Sequence, residues 1–391
     1  MNLLEKGVGK AKKTQKPAPK TLSDQEKINW IRLIGTENVG PTTFYHLLQR
    51  FKTAEYALKR LPRMNHWEQG GPKKTPSQDD AAHILDLCHK NNIHLLAYGE
   101  DAYPKSLAAL NDAPPLLSAK GKLSLLAKPS LSIVGSRNAS GLGTQLAFDW
   151  AQDLGKAGIT ITSGLAQGID GSAHRGSLTT GTIAVLAAGV ETVYPPEHET
   201  LYRQIQEQGL LLAENLPGTN LSAGLFAKRN RIIAGLSWGV LVVEAALKSG
   251  SLLTAHFAIQ QGREVFAVPG HPSDPRAAGT SKLIREGAIL VTCPADILSE
   301  RPKLEQRVGD IAPTPQSFEV SISDADVDKA LFRLQGILKK TPTTLDTLCA
   351  MTDMSEPIVR AAVIELEIAG VARLNMDNTV SIENDRCQKA C

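Results

Sequence analysis

Between residues 131 and 300 the chain alternates short apolar runs with longer amphipathic ones. The short runs cover residues 131–134, 159–162, 182–187, 210–213, 240–243, 264–268 and 288–292. Several are almost continuously apolar, the pattern of strands buried on both faces. Between them apolar positions recur at helix spacing, as in Leu142, Leu146, Ala147, Trp150, Ala151 and Leu154. This alternation predicts an α/β domain, a doubly wound, mostly parallel sheet with ligands at the carboxyl ends of its strands. Residues 94–98 and 116–119 predict two earlier strands. Tyr103-Pro104 and Pro114-Pro115 place their turns at edges, because proline breaks a central ladder.

The pattern differs on either side of that region. Ser23 with Glu26 fits a capping box, and Ile28, Ile31, Leu33 and Ile34 then give one apolar helix face. Residues 35–42 turn the chain, and Phe44, Leu47, Leu48 and Phe51 resume the helical period. Ala54, Ala57 and Leu58 begin a shorter helix, residues 64–78 read as a long polar loop, and residues 81–91 return to a helix. Residues 23–91 are thus expected to form a helix-hairpin-helix, sterile-alpha-motif-like domain. Residues 1–22 form a basic tail, either a solvated lead-in or an arm adding non-specific affinity for nucleic acid. Residues 92–300 form the α/β domain. Residues 301–324, with Pro302, Pro313 and Pro315, read as a linker. Residues 325–384 have a winged-helix outline of three helices and a hairpin, and residues 385–391 are a tail. The third helix starts at Ser355-Glu356-Pro357 and carries Arg360 beside Glu356, Glu365 and Glu367. That is too little positive charge for a DNA-reading helix, and points to a protein-contact or structural role.

Composition narrows the class without deciding it. The 391 residues are 42% hydrophobic and 21% charged, ordinary for a globular chain of about two or three domains. A net charge of +3 says little about partners. Cys88, Cys293, Cys349, Cys387 and Cys391 are odd in number and scattered, as in a reducing compartment. Only Cys387 and Cys391 approach ligand spacing, and no second pair accompanies them, so no metal is expected. No apolar run nears the roughly 18 residues that span a bilayer, and the N-terminus has no signal-peptide core. A cytoplasmic protein without a membrane partner is expected.

The candidate chemistry lies in four loops that follow strands. They are Gly135-Ser136-Arg137, the run from Ser163-Gly164 to Asp170 and His174, the run from Phe226 to Gly235, and Glu244 with Lys248-Ser249-Gly250-Ser251. In a doubly wound sheet such loops converge on one rim, and these residue types make it an anion cradle. The Gly135-Ser136-Arg137 turn opens a helix whose N–H groups favour a phosphate, and Arg137 adds a fixed cationic fork. A dinucleotide fingerprint is incomplete. Gly141 and Gly143 lack the third glycine, because position 146 is Leu, and the second strand ends in Thr162-Ser163 rather than an acid. No Walker A run is present, so no nucleotide cofactor is expected.

Asp170 and His174 stand four apart and can face each other as a base or metal pair; the plainer reading is a helix-start Asp with a locally bonded His. Glu244 reads as an acceptor for loop N–H groups or the partner of a rim arginine. No nucleophile–base–orienter set is evident, so no catalytic residue is expected. Lys228, Arg229, Asn230 and Arg231 place three cations in four residues after Phe226, ahead of the apolar Ile232, Ile233 and Leu236. Such cations repel one another unless anions bind, and Phe226 offers a face for base stacking, worth about 1–3 kcal/mol. The combination suits a single strand better than one nucleotide.

Five runs occur in order: Val134-Gly135-Ser136-Arg137; Ser163-Gly164-Leu165-Ala166-x-Gly168-Ile169-Asp170-x-x-Ala173-His174; Arg229-Asn230-Arg231-Ile232-Ile233-Ala234-Gly235-Leu236-Ser237; Lys248-Ser249-Gly250-Ser251-Leu252-x-Thr254-Ala255; and Val268-Pro269-Gly270. With them the sequence resembles the DNA-processing protein A family (DprA, also called Smf), by motif over about residues 103–298 and by outline at both ends. The resemblance implies an extended Rossmann domain that is not an enzyme. It implies binding of single-stranded DNA, loading of the recombinase RecA, protection of incoming DNA in natural transformation, and a homodimer. On this basis Arg137 and residues 228–231 match the family's DNA pocket. The expected nucleic-acid-binding set is Gly135, Ser136, Arg137, Ser163, Gly164, Phe226, Lys228, Arg229, Asn230, Arg231, Lys248, Ser249, Gly250 and Ser251.

Three positions depart from the family pattern: Ala187 replaces a glycine, Ala227 replaces a proline, and Pro196-Glu197 stands where a basic residue is frequent. The last weakens the expectation of a DNA contact from that loop. The competing class is a Rossmann-type nucleotide hydrolase of the phosphoribohydrolase kind, which carries a P-G-G-x-G-T-x-x-E run. Here Pro269-Gly270 is followed by His271-Pro272 and the glutamate is missing. A third class is an adaptor acting through its end domains alone.

Overall fold

The computed structural model describes residues 21–63, 74–310, 324–338, 341–375 and 378–382. The basic run of residues 1–20 and the Cys387/Cys391 pair lie outside the described residues. The chain opens with helices α1 (Asp24–Ile34), α2 (Pro41–Phe51), α3 (Ala54–Arg60) and α4 (Gln78–Lys90). The Ser23–Glu26 capping box starts α1, satisfying backbone N–H groups that the helix itself cannot. A second box, Ser77 with Asp80, starts α4 three residues ahead of the expected position 81.

Next come β1 (His94–Ala97), α5 (Lys105–Ala108), β2 (Leu116–Gly121) and β3 (Ser130–Val134). The chain then alternates through α6 (Gly141–Lys156), β4 (Thr160–Ser163), α7 (Ile169–Ser177), β5 (Thr182–Leu186), α8 (Glu199–Gln208) and β6 (Leu210–Ala213). It continues as α9 (Ala223–Leu236), β7 (Gly239–Val242), α10 (Gly250–Gln260), β8 (Glu264–Ala267), α11 (Ala278–Arg285), β9 (Ile289–Leu290) and α12 (Pro294–Asp310).

Among the described residues these strands form one sheet in the order β1-β2-β6-β5-β4-β3-β7-β8-β9. From β6 to β9 every pairing is parallel, while β1 and β2 extend one edge antiparallel. The order reverses between β3 and β7, the switch point of a doubly wound sheet. Period-two alternation feeds two cores. Leu131 and Ile133 of β3 pack with Trp150, Leu154, Ile161 and Phe266 on one face; Val134 packs with Val185, Val240 and Val242 on the other. Burying each such aliphatic side chain contributes about 1.5–3 kcal/mol, so the strand order rests on the core rather than on the glycine turns. Hydroxyls join the layers. Ser132 Oγ lies 2.8 Å from Ser237 Oγ and donates to Ile233 O at 2.7 Å, pinning the end of α9 to β3.

One boundary differs from expectation. Residues 301–310 continue α12 instead of starting a linker, although Pro302 lies inside that helix. Ile297 and Leu304 join the core beneath α6, and Arg301 donates to Ala157 O at 3.0 Å. Tertiary packing outweighs the hydrogen bond that proline removes.

The last region holds α13 (Asp324–Ile337), β10 (Thr343–Thr344), α14 (Leu345–Thr352), α15 (Glu356–Ile368), β11 (Ala372–Leu374) and β12 (Thr379–Ile382), with its strands ordered β10-β12-β11. This is the expected winged helix, plus a two-residue strand, β10, too short to leave a periodic signal. Its third helix faces protein. Ile364 and Ile368 of α15 enter the apolar cluster of Phe44, Leu47 and Phe51. Arg50 pairs with Glu365, and Thr43 donates to Glu367 at 3.1 Å. The contact made by α15 is therefore with the chain's own N-terminal helices. Among the described residues no helix is long and apolar enough to cross a membrane.

Candidate nucleic-acid interface

The turn after β3 and the loop after β7 meet at the switch point. Ser136 N donates to Glu244 O at 2.7 Å, and Ser136 O accepts from Ile169 N at 3.3 Å. A side chain at Gly135 would start 2.6 Å from Ile169 Cγ1, so only glycine lets β3, β7 and α7 close together there. The start of α6 corrects the sequence reading. Its N-cap, Ser140, donates through N and Oγ to the Glu244 carboxylate at 2.9 and 2.5 Å, and accepts from Gly143 N at 2.9 Å. A Cβ at Gly143 would lie 2.5 Å from Glu244 Cδ. The anion favoured by this helix N-terminus is thus the protein's own carboxylate, in the place where a phosphate was expected. The incomplete Gly-x-Gly fingerprint serves close approach of Glu244. Replacing Glu244 by alanine should cost about 1.5–3 kcal/mol, as for lost hydrogen bonds to a charged group, read as a lower urea midpoint.

The loop after β4 is held from inside. Ser163 Oγ donates to Ile133 O at 2.6 Å. Asp170 accepts from Gly164 N at 3.2 Å and Ala166 N at 3.4 Å. His174 Nε2 accepts from Leu165 N at 3.3 Å, so Nδ1 carries the proton and donates to Thr182 Oγ1 at 2.7 Å. Burial, reinforced by His198 and Arg229, lowers the His174 pKa to about 3, which keeps it neutral. Asp170 and His174 therefore follow the plainer reading: both organise the loop.

Helix α9 divides the Lys228–Arg231 run, because successive helical residues point about 100° apart. Arg229 is 7% exposed, donates to Gly164 O at 2.6 Å and to Val185 O, and lies beside Asp170. A Cβ at Gly164 would sit 2.7 Å from its guanidinium. Burial lowers the Arg229 pKa to about 10, Asp170 opposes that fall, and the group stays charged near neutrality. Arg231, 3% exposed, pairs with Glu214 and Asp112 on the other side of the helix. Lys228 is exposed and borders a separate cleft with Gly35 and Glu214. The run is thus split: internal carboxylates pair with Arg231, interior carbonyls hold Arg229, and Lys228 borders a cleft apart from the rim cavity. Asn230 donates to Gly250 O at 3.3 Å and ties α9 to the start of α10.

What remains open is a cavity of about 180 Å³ at the rim. Arg137, Gly164, Phe226 and an edge of Arg229 line it, together with Gln167 of the expected rim loop and with Tyr194 and Glu197, from a turn where the sequence weakens the expectation of a DNA contact. The Phe226 and Tyr194 rings lie 5.2 Å apart at 56°, and the Arg137 guanidinium sits 5.5 Å from the Phe226 centroid. Arg137 is exposed and has no carboxylate partner among the described residues. Lys248 is exposed at the neighbouring loop, where Ser249 caps α10 by accepting from Ser251 N. Of the expected set, Arg137, Phe226 and Lys248 thus present free side chains, the Gly164 backbone and an edge of Arg229 reach the cavity, and Ser163 and Arg231 are committed to the interior.

Residues 94–302 match the family model described as DNA recombination-mediator protein A. Residues 24–84 match the DprA-like N-terminal HHH domain, and residues 323–375 the DprA winged helix domain. The chain belongs to the DprA/Smf family. It is 40% identical over 282 residues to protein Smf of Escherichia coli (strain K12), covering 71% of this chain and 75% of that protein. It is 32% identical over 386 residues to protein Smf of Synechocystis sp., covering 90% and 97%. The X-ray structure of DprA from Streptococcus pneumoniae aligns with a TM-score of 0.59 at 33% identity, over 72% of this chain and 99% of that one. This family member is accordingly a DNA-processing protein whose α/β, helical and winged-helix regions all have DprA counterparts. Among its described residues no group of three or more His, Cys, Asp or Glu side chains is placed to hold a metal ion.

Proposed function

We propose that this DprA-family chain binds single-stranded DNA across the rim formed by the loops after β3, β4 and β5 and the start of α9, protects incoming DNA and loads RecA during natural transformation, acting as a cytoplasmic homodimer. The observation that carries the reading is Arg137: exposed, free of carboxylate partners among the described residues, and seated over Phe226 at the cavity mouth. A guanidinium so placed takes a phosphate on one side while a base stacks on the aromatic pair beneath. Lys248 and the start of α10 continue the path for a backbone. A base reaches the aromatic rings only when unstacked, which favours single strands over duplex.

The test is a salt-titrated binding comparison of single- and double-stranded DNA of one sequence. Single strands should bind at least about tenfold tighter, with log affinity falling linearly as log salt rises. RecA filament assembly on coated single strands should accelerate when the protein is added. Equal affinity for duplex, or binding indifferent to salt, would overturn the proposal.

A further inference from the structure

We propose that Glu197 makes the rim cavity a base-reading pocket that prefers guanine; this rests on the single-strand reading above. Glu197 lines the same cavity as Arg137 and Phe226, in the one-turn segment Pro196–His198. Pro195 and Pro196 restrict the backbone before it, and the buried His198 after it is anchored, its Nδ1 3.0 Å from Leu165 O. The carboxylate is exposed and has no hydrogen-bond or ion-pair partner among the described residues. A negative charge on a rim that tracks phosphates weakens binding unless it faces something other than phosphate.

The surroundings say what that is. Phe226 and Tyr194 offer aromatic faces, and Ala187 and Ala188 leave room for a flat ring. Arg137 holds the phosphate side of the cavity. In this proposal a base stacked there meets Glu197, which lines the same cavity, with its Watson–Crick edge. An ionised carboxylate only accepts hydrogen bonds. Guanine presents two adjacent donors on that edge, N1–H and the N2 amino group, matching two carboxylate oxygens. Adenine and cytosine present one amino group beside a ring acceptor. Thymine presents N3–H between two carbonyl oxygens, which the carboxylate repels. A site that hydrogen-bonds its ligand in this way discriminates more sharply than stacking alone. The expected order is guanine, then adenine and cytosine, then thymine. The acidic departure at position 197 thus gives selectivity in exchange for a phosphate contact.

The experiment uses the full chain and labelled single strands of about 20 nucleotides. One is all thymine, one carries isolated guanines in a thymine background, and one carries inosine, which lacks the N2 amino group, at the same positions. The protein should bind the guanine strand about tenfold tighter than the thymine strand, with inosine between them. Glu197→Gln should bring all three within about twofold and leave thymine-strand affinity equal or higher. Because Glu197 is exposed, its melting temperature should not change. Equal binding of guanine and thymine strands by the native protein, or a preference that survives in Glu197→Gln, overturns the pocket while leaving single-strand binding intact. Failure to bind any strand overturns both.

Discussion

Arg229→Ala is expected to unfold the loops at the rim cavity rather than trim a DNA contact. The guanidinium lies between the carbonyls of Gly164 and Val185 and beside Asp170, almost wholly out of water. Truncation leaves two buried carbonyls without a donor and removes the nearby charge that favours ionised Asp170. Each lost hydrogen bond to a charged group costs about 1.5–3 kcal/mol. Against a total stability of roughly 5–15 kcal/mol that is a large share. Lysine should recover part of the loss, because both carbonyls accept from one nitrogen, Nη1, and an ammonium carries three donors.

The pH dependence distinguishes this account from simple loss of packing. Burial raises the Asp170 pKa to about 6, against the pull of Arg229 and of the N–H groups of Ala166 and Gly164. A carboxyl whose folded pKa is raised contributes its stability below the unfolded value and loses it as pH rises through the folded one. Without Arg229 the Asp170 pKa climbs further. The gap in urea midpoint between native protein and variant should therefore be smallest in acid and widen as pH rises above about 6. An unchanged midpoint with DNA binding abolished would instead make Arg229 a direct DNA contact.

The same residue shows where sequence stops being informative. Arg229 and Arg231 stand two apart in a cationic run, yet helical rotation sends one to the carbonyls of Gly164 and Val185 and the other to Glu214 and Asp112. Charge density along the chain is legible; the acceptors that meet each cation arrive from other elements and are not. Gly143 gives a parallel case. Its glycine predicts close approach of an anion to a helix N-terminus, but whether that anion is a phosphate or Glu244 depends on β3 and β7 lying side by side. The parallel strands themselves were legible because runs such as Leu210–Ala213 are apolar throughout, and both faces of the sheet bury them. The end of α12 was not, because Pro302 signals a break that Ile297 and Leu304 override from the core. Tyr194 and Glu197 carry no periodic signal at all. They matter only because the turn after β5 folds back against Phe226 at the start of α9.

Arg137→Ala should behave in the opposite way to Arg229→Ala: binding falls while the fold stays. Arg137 is exposed, its only aromatic contact among the described residues is with Phe226, and surface changes of that kind usually alter stability by less than about 0.5 kcal/mol. Its loss removes one phosphate contact and the cation that overlies the stacking face. Affinity for single-stranded DNA should fall about 10- to 100-fold, equivalent to about 1.4–2.8 kcal/mol. The slope of log affinity against log salt should shrink by about one, because one phosphate is no longer neutralised. Arg137→Lys should restore most of the salt slope without the full affinity, since an ammonium supplies the charge but neither the bidentate fork nor the planar stack over Phe226. Loss of affinity with the slope unchanged would mean that Arg137 acts on the shape of the cavity and not on a phosphate. Affinity unchanged in Arg137→Ala would move the DNA path away from this rim, because no other exposed cation there lies over an aromatic face among the described residues.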